Sequence, residues 1–448
     1  MKKDIKETEF KISRLNKKGI PLSGTFISMW LVENWDEQTW EKELMAYKEV
    51  GIEYVIFSPA VVIDHNKKII TYYPTLIEEY QCGYKQKDVF EDILKNCQKF
   101  NMKCFIGTLQ DDKWWELWWD NSITLSNYAW FINAMEQSNR LAEDIYKKYS
   151  TKYKDTMYGW YFIPELWNFT VMKLSEVGRS ACVKMLCDGF NTHLDFLTEL
   201  DSSMPILLSP FANMALGSYQ DLKHMWADII TNTNFRKGDI LCPQDSVGAG
   251  GTKLDQLEEV MQCYEYAKEL KPNLRLWANN EDFDQTDWSS ATMERFIKQV
   301  EISGVYAEKN ITFAYNNYHS PINNKPDFHQ AYKHYFETGC IKIKIPESVE
   351  NLKWETLSDK IVFSWSQPNV EEIAGYIIYK NIKTKDGFLS CNKEKIGTVK
   401  LGFRGNNSAP PNLKTVFEYK NSTEKNVRYS IVAHDYCGNN SLEKFVDL

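Results

Sequence analysis

This sequence predicts an α/β fold: a (β/α)8 barrel of the TIM type, followed by an all-β sandwich. Three observations carry the prediction. Short apolar runs alternate with longer amphipathic ones eight times between residues 24 and 317, the pattern of a parallel sheet whose strands are joined by helices. The first run, GTFISMW (24–30), leads into LVENWD and not into a glycine-rich phosphate turn, which disfavours a doubly wound open sheet. Beyond about residue 340 the long helical patterns cease and short strand-like runs replace them. The expected organisation is a tail over 1–20, a barrel over 21–335 and a sandwich over 345–448.

Taken in order, GTFISMW reads as the first strand, and DEQTWEKELMAYKEVG (36–51) as a helix opened by Asp36 and closed by Gly51. YVIFSPAV (54–61) and the helix KDVFEDILKNCQKF (87–100) follow. KCFIGTL (103–109) precedes a long helix around 126–149, and MYGWYFIPE (157–165) one near 174–199. PILLSPF (205–211), DILCPQD (239–245), NLRLWANNE (273–281) and NITFAYNN (310–317) complete the eight strands; LDQLEEVMQCYEYAKEL (254–270) is a helix between the last of them. In the C-terminal region NLKWETL, KIVFSWSQ, GYIIYKN, TVFEYK and VRYSIVAHD alternate with loops rich in Asn, Ser, Pro and Gly.

Composition narrows the partners. A net charge of −8 argues against nucleic acid or an anionic membrane, both of which require a basic face. No apolar run approaches the roughly 18–20 residues of a membrane span, and MKKDIKETEFKISRLNKKG lacks the apolar segment of a signal peptide. The ten cysteines are scattered without a CxxC pair, and read as buried reduced thiols. The expected location is therefore cytoplasmic, or extracellular if a leader has been removed. The seven histidines show neither HxH nor HExxH, so no metal and no cofactor is expected. Oligomeric state is not legible.

In a barrel of this class chemistry sits at the C-terminal ends of the strands. The fourth strand closes with Phe-Ile-Pro-Glu: Pro164 cannot donate to a ladder, leaving Glu165 at the rim. On the seventh, period two places Trp277, Asn279 and Glu281 on one face. Strands four and seven face each other across the mouth. A carboxyl pair so placed can serve as acid/base (Glu165) and nucleophile (Glu281) on one glycosidic bond. Gln244 and Asp245, at the exit of the sixth strand, together with Asn279 and Tyr315, are candidates for bonding sugar hydroxyls, although Asp245 can also simply cap the following helix.

Fourteen per cent of the residues are aromatic, and DKWWELWWD (112–120) concentrates four tryptophans. Trp114/Trp118 and Trp115/Trp119 are i, i+4 pairs, so a short helix would bury one pair against the barrel and present the other to sugar C–H faces. Trp30 and Trp277 add rings near the predicted rim. A wholly structural role for the quartet is the competing reading, since tryptophan is highly buried on average.

The strand-four and strand-seven glutamates resemble the large clan of retaining glycoside hydrolases, except that Pro164 stands where that clan has Asn. GTF-x-x-x-W (24–30), GWYFIPEL (159–166), PQDSVG (243–248) and LWANNEDF (276–283) resemble a bacterial family of unassigned function, numbered 4434 and described as glycosidase-like barrels, over residues 21–330. That resemblance implies carbohydrate as substrate, and Glu165, Gln244, Asp245 and Glu281 as the polar residues of its site. The C-terminal region resembles a fibronectin type III module: Trp354 and Trp365 stand for its core tryptophan, GYIIYK for its central strand and Tyr429 for its corner tyrosine. The expected function is hydrolysis of an O-glycosyl bond in an oligo- or polysaccharide. The alternative is a non-catalytic carbohydrate-binding or scaffold protein on the same barrel.

Overall fold

A computed structural model of the chain describes residues 18–119, 125–168, 175–322, 326–357, 360–368, 373–384, 387–389, 392–401, 415–420 and 426–447. They fall into two compact units, one of Ile20–Asp282 with Lys298–Asn316, the other including Phe283–Ile297 and Asn317–Leu448.

The first unit is built on a closed barrel of eight parallel strands in sequential order: β1 (Leu22–Ser28), β2 (Tyr54–Ser58), β3 (Lys103–Gly107), β4 (Met157–Phe162), β5 (Ile206–Leu208), β6 (Ile240–Leu241), β7 (Arg275–Glu281) and β8 (Lys309–Phe313). All eight coincide with predicted strands, although β5 and β6 are short. Pro210 and Pro243 explain the shortness, because neither has an N–H for a ladder. The chain beyond Pro243 still tracks β7: Asn279 N donates to Pro243 O at 2.9 Å and Asp245 N to Asn279 O at 2.9 Å.

Side chains fill the barrel: Phe26, Ile56, Phe105, Leu207, Ile240, Cys242, Trp277 and Ile311 form one buried cluster, with Tyr54, Tyr158 and Tyr161 packed against it. Gly159 is what lets β4 into this crowd, since a Cβ there would lie 2.4 Å from the carbonyl oxygen of Pro205 and 2.7 Å from the Phe105 ring. The alternation predicted for β7 holds: Trp277 points inward, while Ala278 packs outward with Leu257 and Met261 of the helix Leu257–Glu269.

The helices start where the sequence signals. Asp36 accepts from Thr39 N to open Glu37–Glu49, Asp88 from Glu91 N to open Val89–Lys99, and Ser175 from Gly178 N to open Glu176–Asp201. Gly51 ends the first of these at φ +92°, a conformation that favours glycine. Among the described residues no helix is long and apolar enough to cross a membrane.

In the second unit the described residues from Glu350 onward form two antiparallel sheets. With β9 (Glu350–Leu357), β10 (Lys360–Ser366), β11 (Ile373–Ile382), β12 (Lys393–Lys400), β13 (Val416–Lys420), β14 (Val427–Asp435) and β15 (Lys444–Asp447), the orders are β9-β10-β13 and β12-β11-β14-β15. Ile361, Phe363, Trp365, Tyr376, Ile378, Tyr429 and Ile431 meet between them. Trp365 and Tyr429 are therefore core, as read, but Trp354 is not: it lies on the edge strand β9 and is 40% exposed. Of the nine described cysteines all are free, and only Cys82 and Cys340 are exposed.

Candidate active site

A cavity of about 190 Å³ opens at the C-terminal ends of β1 to β4 and β8. Its wall is aromatic, with Phe26, Trp30, Trp114, Trp115, Trp130, Phe131, Tyr161 and Phe313 among its lining residues. Asp111 and Glu165 are its two carboxyl side chains, and no Lys, Arg or His belongs to the described lining. The peptide bonds Ser58–Pro59 and Phe313–Ala314, following β2 and β8, are cis.

Glu165 stands three residues beyond the end of β4, and Pro164 before it has no N–H to extend the strand. The Trp114 indole donates to the Glu165 carbonyl at 3.2 Å, and Gln244 Nε2 donates to its carboxylate Oε2 at 3.0 Å. Gln244 is itself held: its N donates to Pro210 O at 2.8 Å and its Nε2 also reaches Ser209 O at 3.2 Å. Asn279 Nδ2 continues the line with a 3.1 Å bond to Ser209 Oγ. A polar chain thus runs from Glu165 along the rims of the fifth, sixth and seventh strands. The burial of Glu165 among protein atoms raises its pKa above the ordinary carboxylate value, and the Gln244 amide pulls in the opposite direction. Burial, reinforced by the neighbouring Glu165, keeps the Tyr161 phenol protonated.

Glu281 ends β7 facing inward, but its side chain is 1% exposed and does not line the cavity. Its Oε2 accepts from Ala249 N at 2.6 Å, so the backbone after the sixth strand covers it. Asp245 is wholly buried and accepts from Val247 N (3.0 Å), Glu281 N (3.3 Å) and Gln299 Nε2 (2.6 Å). This Asp245 is a bracket holding the β6 exit to β7, not a group open to a hydroxyl. Nor are three further expected ligands of sugar in contact with the cavity. Trp277 is barrel core, Asn279 is 2% exposed, and Tyr315 is buried edge-on against Tyr47 at 5.8 Å.

The tryptophan-rich segment forms the helix Lys113–Trp119 directly behind Asp111. Trp114 is buried, packing on Phe131 at 5.5 Å, whereas Trp115 is 37% exposed and lines the cavity. The side chains of Trp118 and Trp119 lie outside the described residues. Trp30, 52% exposed, follows β1 and lines the same cavity. His319 does not serve this cavity; it is buried, stacked on Phe328 at 5.0 Å, and burial lowers its pKa to about 3, leaving it neutral.

Sequence reasoning missed Asp111, Trp130 and Phe313. Asp111 lies two residues past the predicted third strand, within reach of the strand-end rule. It is carried there by a small extra sheet, in which Leu109–Asp111 pairs with Val61–Ile63. Phe313 ends β8, also within reach of that rule, whereas Trp130 lies on a helix and carried no local signal.

Together, fold and site define a (β/α)8 barrel whose mouth holds a glutamate in an aromatic pocket. The chain belongs to the DUF4434 family, a domain of unknown function, whose sequence profile matches residues 22–330. No curated protein matches it in sequence. Among solved structures it is similar to a protein of Bacteroides thetaiotaomicron VPI-5482 provisionally described as an alpha-L-fucosidase, with a TM-score of 0.57 and 19% identity, covering 72% of this chain and 95% of that one. A Bacteroides uniformis beta-glucuronidase aligns at a TM-score of 0.41 and 10% identity, over 96% of this chain and 47% of that one. At 19% identity the first of these likenesses speaks to the fold alone.

Proposed function

We propose that the barrel hydrolyses an O-glycosyl bond, with Glu165 as the general acid that protonates the departing oxygen. The observation that carries this reading is a carboxyl group with a raised pKa inside an aromatic cavity at the barrel mouth. A carboxylic acid must stay protonated near neutral pH to play that part, and burial without a cationic neighbour favours the protonated form. Trp30 and Trp115 supply flat faces for the C–H side of a sugar ring. The sequence points to Glu281, on the strand opposite in the ring, as nucleophile, but its side chain is 1% exposed and lies outside the cavity lining.

The competing reading is a barrel that binds carbohydrate without cleaving it. A carboxyl whose pKa is raised by burial in the cavity favours catalysis, because it suits proton donation more than mere hydrogen bonding to a sugar. Incubation with a panel of aryl glycosides and oligosaccharides distinguishes the two: hydrolysis releases phenol or reducing ends with multiple turnovers. Binding detected by tryptophan fluorescence with no product from any compound would leave the binding protein as the answer.

A further inference from the structure

We infer that Asp111, not Glu281, is the anionic partner of Glu165 and the nucleophile of the reaction. This rests on the reading of the cavity as a glycosidase site. Asp111 and Glu165 are the two carboxyl groups that line it, and their surroundings differ in kind. Glu165 receives one neutral amide bond, from Gln244. Asp111 receives two N–H donors, Lys113 N on Oδ1 at 3.0 Å and the Trp130 indole Nε1 on Oδ2 at 3.2 Å. Donors on both oxygens fix the plane of the carboxyl group and aim it into the cavity wall's opening. A pair of carboxyl groups in contrasting environments is what a division into acid and nucleophile requires.

The two groups also share a mount. Lys113, which donates to Asp111, opens the helix whose next residue, Trp114, donates to the Glu165 carbonyl. Trp130, on the other oxygen of Asp111, belongs to the cavity wall. Glu281 lacks such access: an attacking carboxylate must present an oxygen to the anomeric carbon, and this one is 1% exposed beneath Ala249.

The step then balances as follows. An Asp111 oxygen bonds the anomeric carbon while the bond from that carbon to the leaving oxygen breaks. The electron pair passes to the leaving oxygen, which takes the Glu165 proton. Water next attacks the same carbon and gives its proton to the Glu165 carboxylate. The ester to Asp111 breaks, and both carboxyl groups return to their starting states with net retention at the anomeric centre.

The test uses the full chain and two leaving groups, 2,4-dinitrophenyl, which departs without protonation, and phenyl, which needs it. D111N should lose about 10³-fold in kcat on both, E165Q should lose kcat/KM on phenyl glycosides alone, its kcat falling on both because the second step needs the Glu165 carboxylate as base, and E281Q should keep turnover on both. Azide should restore turnover to D111A and release a glycosyl azide of opposite anomeric configuration, a result that a merely structural aspartate would not give. Turnover retained by D111N and lost by E281Q would overturn the assignment of Asp111, as would an inverted product from the wild type. Wild-type failure on every glycoside would instead remove the glycosidase reading on which the assignment rests. D111N keeps the size and shape of the side chain, so its thermal unfolding midpoint, measured alongside, separates lost chemistry from lost folding.

Discussion

Gln244 Nε2 donates to Glu165 Oε2 at 3.0 Å, and this one bond sets how far burial can raise the acid's pKa. The amide favours the ionised form while the surrounding protein disfavours it. As general acid, Glu165 acts when protonated, so activity falls as pH rises through its folded-state pKa. Q244L removes the lowering influence and should move the alkaline limb of kcat/KM to higher pH. A pH–rate profile of the two proteins checks this; an unmoved or lowered limb would count against Glu165 as the acid.

The same shift is a statement about stability. Glu165 has a folded pKa above its unfolded one, so the stability tied to its proton is complete below the unfolded pKa and is lost as pH rises through the folded pKa. E165Q cannot ionise and should be more stable than the wild type at pH 7, by about 1 kcal/mol. The advantage should vanish near pH 4. Urea midpoints at the two pH values measure it.

Adjacent tryptophans should separate binding from folding. Trp115 is 37% exposed in the cavity, and W115A should raise KM roughly tenfold, about 1.4 kcal/mol of lost binding, with little change in melting temperature. Trp114 is 7% exposed and tied to the Glu165 carbonyl. W114A should instead cost about 3–5 kcal/mol of stability. Kinetics and thermal melts of both variants give the comparison.

Asp245 should behave as a structural bracket. D245A strands three donors, the part-buried Val247 N and the buried Glu281 N and Gln299 Nε2, and each buried donor abandoned costs about 1–3 kcal/mol. The variant should unfold at markedly lower urea. A D245A protein of unchanged stability and weakened sugar binding would return Asp245 to the substrate side.

The barrel was legible because its signals are local. Strand periodicity, Asp36 and Asp88 as helix caps, and Pro164 as a strand stop all act within a few residues of themselves. Inward-facing positions on β7 were legible too, since period two needs no knowledge of the rest of the chain. What an inward position meets is a tertiary matter. Trp277 faces inward at a level where the barrel is filled by Phe26, Ile56 and Phe105, whereas Glu165 faces space. Glu281 was legible as a rim carboxylate, but its cover comes from Ala249, thirty-two residues earlier in the chain. Asp111 went unread because its neighbour in structure, Trp130, is nineteen positions away and no periodic pattern joins the two.

Whether Glu165 delivers a proton to a departing sugar oxygen is read most directly from the ratio of wild-type to E165Q kcat/KM as the leaving group is varied. Proton delivery by Glu165 gives a ratio near one for 2,4-dinitrophenyl glycosides, rising to about 10²–10⁴ as the leaving group becomes as basic as phenol or a sugar hydroxyl. A ratio near one for every leaving group, with turnover intact, would contradict it.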